Sequence, residues 1–138
     1  MQNVYATGAV ASLAGLWQIK LTFNVINNRR LRQIRLGSGD SKEMEAVIRA
    51  HANFTENTPI FLILLGSYEL NGGWKSVCLG VGAVFLAGRV IHSQIVDEVP
   101  NTPLISRVRG MIMTIASIGT LCGLNLALLG YHAIVASK

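Results

Sequence analysis

The feature that most constrains this chain is the recurrence of apolar windows about 20 residues long, the length a helix needs to cross a hydrocarbon core at 1.5 Å per residue. Four such windows fit the sequence: about Val4 to Asn27, Glu43 to Leu70, Trp74 to Val96 and Arg107 to Ala136. Inside lipid a backbone must satisfy its own hydrogen bonds, so each window is expected to be a helix. The expected fold is an all-α membrane protein, one domain over residues 1–138 arranged as a bundle of four transmembrane helices. The first window has no basic segment before it and is too long for a cleaved signal peptide. Charge density argues the same way: 14% of residues are charged, against about 25% in a soluble domain.

The connections differ in kind. "NNRRLRQIRLGSGDSK" is basic and ends in a Gly/Ser-rich turn, "NGGW" is tight enough to make windows two and three a hairpin, and "DEVPNTPLIS" holds two prolines. The net charge of +5 is unevenly placed. Arg29, Arg30, Arg32, Arg35 and Lys42 lie in the first connection, Arg107 and Arg109 end the third, and the opposite side has only Lys75 and Lys138. The positive-inside bias then puts both termini outside and loops one and three in the cytoplasm. No nucleic-acid motif or interleaving of aromatic and basic residues accompanies the charge, so a nucleic-acid partner is not expected.

Topology does not explain the polar start of the second window, "IRAHANFTENTP". At 100° per residue, Glu45, Arg49, Asn53 and Glu56 fall on one stripe. Ionisable groups at the edge of an apolar span are costly and need a partner or a task. One reading is interhelical glue, an Arg–Glu pair with an amide. The other follows from convergence. Arg29 and Arg30 close the first helix, Arg89 and His92 lie near the same end of the third, and Arg109 opens the fourth. Glu45 and Glu56 cannot neutralise all these arginines, and a carboxylate-bearing anion suits their planar forks. His51 projects about 200° from Arg49, onto another face.

The remaining polar and small residues read as structural. Asn125, Gln18 and Asn24 are expected to bond to neighbouring helices, and Gly80, Gly82 and Gly88 to let helices approach. Lys20 is expected to snorkel, and Pro59 to bend the second helix. Cys78 and Cys122 read as small buried hydrophobes, without metal-ligand or disulfide spacing. The sequon at Asn53 lies within a helix and is discounted, and "GSGDSK" lacks the spacing and preceding strand of a phosphate loop. No Ser-His-Asp or Cys-His arrangement is suggested.

"RAHANFTE" resembles the R-A-x-x-N-x-x-E signature of the membrane-associated proteins in eicosanoid and glutathione metabolism, the MAPEG family. "FNVINNRR" resembles that family's first-helix exit, "LAGRVIH" its third-helix motif and "RVRG" its fourth-helix start, and the short chain is most similar to its small bacterial branch. The resemblance implies a homotrimer in the bacterial inner membrane, with glutathione between neighbouring subunits near the cytoplasmic face. It implies glutathione contacts for Arg49, Asn53 and Glu56, and for His51 despite its periodicity. It also places Arg30 at the active site, Arg89 and His92 at the third-helix positions, and Arg109 beside the glutathione thiolate. The implied activity is conjugation of glutathione, as co-substrate and without a metal, to lipophilic electrophiles arriving from the lipid, in detoxification and with glutathione peroxidase activity as a companion. The alternative is a non-catalytic membrane protein that binds glutathione, lipid or a partner protein; Arg109 separates the two, since binding needs no thiolate activator. A transporter or channel subunit with an arginine-lined mouth is a third reading, opposed by the apolar outer halves of the helices. Three departures bear on affinity and substrate: Ala46 where many members have a second arginine, Val96 where several have tyrosine, and His92 where some have another tyrosine.

Overall fold

A computed structural model of the protein describes residues 3–94 and 104–137. They form four helices in chain order: α1 Tyr5–Arg32, α2 Lys42–Leu70, α3 Lys75–Gln94 and α4 Leu104–Ala136. No strand occurs among the described residues. Most of the third connection, and Val96 with it, lies outside them. By length and composition α1, α3 and α4 can each cross a membrane. The 29-residue α2 has the length, but its first half is too polar to meet the same measure, which is the half that carries the signature.

Local chemistry sets the helix ends. α1 runs past its apolar window, with Arg29, Arg30 and Arg32 in its last turn, where cations suit the negative end of the helix dipole. It stops at Gln33, which takes a left-handed conformation (φ 58°). Ile34 N–H then returns to Arg29 O at 3.0 Å. Ser41 caps α2 by accepting from Met44 N–H at 3.2 Å and donating to Glu43 at 2.8 Å. The α2–α3 hairpin closes where Gly73 N–H reaches Tyr68 O at 2.9 Å. Gly72 there has φ 91°, open to glycine and strained for other residues.

The middle of the bundle is mostly apolar inside and out, as lipid requires. Its centre is the stacked pair Phe61–Phe85, ring centroids 3.8 Å apart, surrounded by Val10, Leu65, Cys78 and Leu121. Leu16, Ile63 and Ile115 are about two-thirds exposed, and such side chains cover the outer faces of the helices. A soluble monomer rarely exposes contiguous apolar surface on this scale.

α3 and α4 touch backbone to backbone. A Cβ added to Gly110 would sit 2.7 Å from Gly88 O, and one added to Gly88 would sit 2.8 Å from Met113 Cβ. Gly88 and Gly82 thus act as close-approach residues, Gly82 against Val10 of α1, whereas Gly80 has nothing within 4 Å. Cys122 also departs from expectation: it is exposed on α4, and only Cys78 is buried. Lys20 lies over the Trp17 ring at 4.0 Å, Asn24 bonds within its own helix to Asn28 at 2.9 Å, and α2 continues as helix through Pro59.

The end of the bundle remote from the arginines is held by a buried carboxylate. Glu69, 5% exposed, accepts from Ala6 N–H at 3.0 Å, Thr7 N–H at 2.7 Å and Thr7 Oγ1 at 2.7 Å. The preceding residue, Val4, offers no side-chain cap. Glu69 of α2 therefore caps α1 across the helix interface, satisfying orphan N–H groups with a charge that suits the positive end of the dipole.

Candidate functional site

A polar layer crosses all four helices near their arginine-rich ends. Between α1 and α2, Gln18 Nε2 lies 2.8 Å from His51 Nε2 and 3.1 Å from Thr55 Oγ1, with Thr22 Oγ1 3.2 Å from the same imidazole nitrogen. Between α1 and α3, Trp17 Nε1 donates to Ser93 Oγ at 3.1 Å. Between α2, α3 and α4, Arg89 Nη1 donates to Asn53 Oδ1 and Nη2 to Gly110 O at 3.4 Å. Gly110 can lie close enough because neither it nor Gly88 carries a Cβ.

The layer divides the expected site residues into two groups. Arg89, 2% exposed, and His92, 8% exposed, are inside the bundle, with His92 packed against Gly110. Arg89 Nε is buried without a hydrogen-bond partner among the described residues. His51 is half-buried and turned to Gln18, away from Arg49, as its periodicity indicates. The second group faces outward: Arg30, Glu45, Arg49, Glu56 and Arg109 are exposed. Among the described residues the ion pair is Arg32–Glu43, at 3.9 Å, and none of these five takes part in one. The glue reading of an Arg49–Glu pair is therefore not met among the described residues. Arg49 and Glu56 stand seven residues apart on the same face of α2, two turns along one stripe.

Asn53 joins the two groups. A guanidinium has only donors, so the amide oxygen must be the atom facing Arg89. That fixes the amide: Oδ1 faces Arg89 of α3, and Nδ2 keeps its two donors for another partner. Asn53 is half-buried, and among the described residues its side-chain hydrogen bond is the one from Arg89. The stripe thus offers a cation, a neutral donor and an anion in sequence, a pattern complementary to a ligand with carboxylate and ammonium groups.

Two placements revise the approach to Arg109 and Arg30. α4 begins at Leu104, so Arg109 lies in the second turn. The favourable field of a helix N-terminus fades within the first turn, and any effect of Arg109 on an anion must come from its own charge. Its neighbour Gly110 receives Arg89, so Arg109 stands at the depth of Asn53. Arg30 instead lines a cavity of about 600 Å³ with Arg29 and Arg35 at the end of α1. The Arg89–Asn53 tie was not apparent from sequence, where both residues read as ligand contacts. Its signal was the pairing of a buried-span arginine with an amide on a facing helix. The Glu69 clamp was also missed; its signal was an acid at the apolar end of α2 beside an uncapped α1.

Four long helices, lipid-compatible outer faces and an Arg-x-x-x-Asn-x-x-Glu stripe at one end define a polytopic α-helical membrane protein with a polar site near one membrane face. The MAPEG family model matches residues 7–129, and the chain belongs to that family. Among curated proteins it is similar to the inner membrane protein YecN of Escherichia coli strain K12, 34% identical over 82 residues, and equally to YecN of Escherichia coli O6:H1. The match covers 59% of this chain and 63% of each relative's length. A membrane location follows from the helices and from these relatives.

Proposed function

We propose that this protein binds glutathione on the outward stripe of α2 and conjugates it, as the thiolate, to lipophilic electrophiles. One observation carries the reading: Arg49 and Glu56 lie exposed on α2 without an ion-pair partner among the described residues, flanking an Asn53 whose amide oxygen is taken by Arg89. Charges at such a place need covering. Glutathione has two carboxylates for the arginine and amide donors and one ammonium for Glu56. A second copy of the chain would close the other side, which accords with a homotrimer having ligand at each subunit boundary. Basic loops one and three would then face the cytoplasm of a bacterial cell, with both termini outside.

Activation needs little. A thiol of pKa about 8.5 is roughly 3% thiolate at pH 7. Lowering it by ~2 units requires about 2.7 kcal/mol. One guanidinium at ~4 Å supplies roughly 4 kcal/mol of gross attraction at an effective dielectric of ~20. Arg109, exposed at the depth of Asn53, is the group proposed for this, with Arg30 nearer the aqueous rim. The thiolate sulfur forms the new bond to the electrophile, and the leaving group departs, or the adduct takes up a proton, without a covalent enzyme intermediate. His51, held by Gln18, and His92, held in the bundle, support the site from behind, as does Arg89 through Asn53.

The competing reading is a membrane protein that binds glutathione without turnover. It is favoured by the placement of Arg109 on the outside of its own bundle, with no side-chain bond to hold it toward α2 among the described residues. The test of binding is calorimetry on the purified protein with glutathione. Arg49→Ala is expected to weaken binding by roughly 10- to 150-fold, the loss of about 1.5–3 kcal/mol for a charged hydrogen bond. Unchanged affinity would take the stripe out of the site.

A further inference from the structure

Between Tyr5 and Asn28, α1 carries a single charged residue, Lys20. Its side chain is exposed on a face shared with Leu13, Leu16 and Phe23, all exposed as well. An ammonium on the apolar outer face of a membrane helix is costly without a partner. Lys20 Nζ lies 4.0 Å from the centroid of the Trp17 ring, and the indole is itself fixed by its bond to Ser93 Oγ of α3 at 3.1 Å. The face of the ring attracts the ammonium but brings no counter-charge. One turn further along, Asn24 Oδ1 accepts from Asn28 Nδ2 at 2.9 Å, and among the described residues that is the side-chain hydrogen bond of Asn24. Its own Nδ2 keeps its two donors for another partner. Trp17, Lys20 and Asn24 are spaced by three and four residues, which puts them on one side of α1. Neither α1 nor α3 contains an acidic residue. The α1–α3 flank thus presents an ammonium and an amide donor, backed by an indole, with no carboxylate from either helix.

Depth indicates what answers these donors. Exposed Tyr5, Trp74 and Tyr131 stand near the ends of α1, α3 and α4 remote from the arginines, the place aromatic side chains take at a membrane interface. About 20 residues from Tyr5, the length of one hydrocarbon crossing, reach the neighbourhood of Asn24. Lys20 is one turn short of it, about 6 Å at 1.5 Å per residue, and its flexible four-carbon stem can carry the ammonium toward that plane. Both donors therefore stand where the phosphates of one leaflet border the hydrocarbon, on the side of the helix that faces lipid.

We infer that Lys20 and Asn24 bind the phosphate of a phospholipid whose acyl chains lie along Leu16 and Leu13 of α1. The recognised chemistry is a phosphodiester anion tethered to apolar chains. None of Trp17, Lys20, Asn24 and Ser93 belongs to the glutathione site proposed above, so the inference stands whether or not glutathione binds.

The chain has two tryptophans, so Trp74→Phe leaves Trp17 as the sole emitter, beside the site. The full chain with that substitution, purified in detergent and stripped of lipid, is titrated with phosphatidylglycerol carrying a nitroxide near the top of one acyl chain. Saturable quenching of Trp17 is expected, whereas diacylglycerol with the same labelled chain should quench only in proportion to its concentration. Lys20→Met is expected to weaken the apparent affinity for the phospholipid about 5-fold. Lys20→Arg, which keeps the charge, is expected to retain it, so a loss through misfolding is distinguishable. Neither inorganic phosphate nor saturating glutathione should relieve the quenching. Equal quenching by diacylglycerol, or undiminished affinity in Lys20→Met, would overturn the inference. Relief by inorganic phosphate would assign the flank to a soluble anion, and relief by glutathione would make it part of the glutathione site; either result would overturn the lipid assignment.

Discussion

Asn53→Asp separates ligand recognition from folding more sharply than a deletion does. The substitution changes one atom's chemistry at nearly constant shape. Toward the bundle, Arg89 gains a carboxylate in place of an amide oxygen. A unit charge pair at ~4 Å is worth roughly 4 kcal/mol gross at an effective dielectric of ~20. Desolvation of the half-buried carboxylate offsets much of this, leaving a net gain of about 1–2 kcal/mol. Toward the stripe, the Nδ2 donors vanish and an acceptor replaces them. In the proposed binding mode a carboxylate of glutathione then loses a hydrogen bond worth about 0.5–1.5 kcal/mol, more where a charge is involved, and meets a like charge only partly neutralised by Arg89. The expected result is a protein as stable as wild type or melting a few degrees higher, with glutathione affinity at least roughly 30-fold lower, about 2 kcal/mol. Thermal unfolding in detergent and calorimetry with glutathione read the two effects on one preparation. Asn53→Ala, which leaves Arg89 with Gly110 O alone, should instead lose about 1–3 kcal/mol of stability. An Asn53→Asp protein that binds glutathione within 3-fold of wild type would refute the reasoning, because the free donor would then play no part in binding.

Two further outcomes are expected. Arg109→Ala should leave glutathione affinity within a few-fold and lower turnover with an aromatic electrophile by one to two orders of magnitude, at about 1.4 kcal/mol per decade; the ultraviolet thiolate band of bound glutathione should shrink with it, and wild-type protein that binds glutathione without such a band would favour the non-catalytic reading. Glu69→Ala removes the acceptor for Ala6 N–H, Thr7 N–H and Thr7 Oγ1, so it should lower stability by about 2–4 kcal/mol, seen as a reduced melting temperature, with Glu69→Gln intermediate because one oxygen still accepts; an unchanged melting temperature would mean the clamp is not a stabilising contact.

What the sequence determined by itself was periodic and compositional. The apolar windows set four helices and their approximate limits, because helix length in lipid follows from hydrocarbon thickness. The "NGGW" turn set the α2–α3 hairpin, and the 100° spacing set the shared outward face of Arg49 and Glu56 and the divergent face of His51. Such properties belong to one segment at a time. Tertiary structure decided everything that depends on two segments meeting. Arg89 and Asn53 are 36 residues apart, and only the backbone contact at Gly88 and Gly110 brings α3 and α4 close enough to bury the guanidinium between them. Glu69 and Thr7 are 62 apart, and the carboxylate becomes a helix cap only because α1 and α2 pack antiparallel. The same distinction explains Cys122 and Gly80, which read as buried or close-packed from an apolar context. An apolar neighbourhood in a membrane helix is shared by the faces that meet protein and the faces that meet lipid, so hydropathy alone does not separate them.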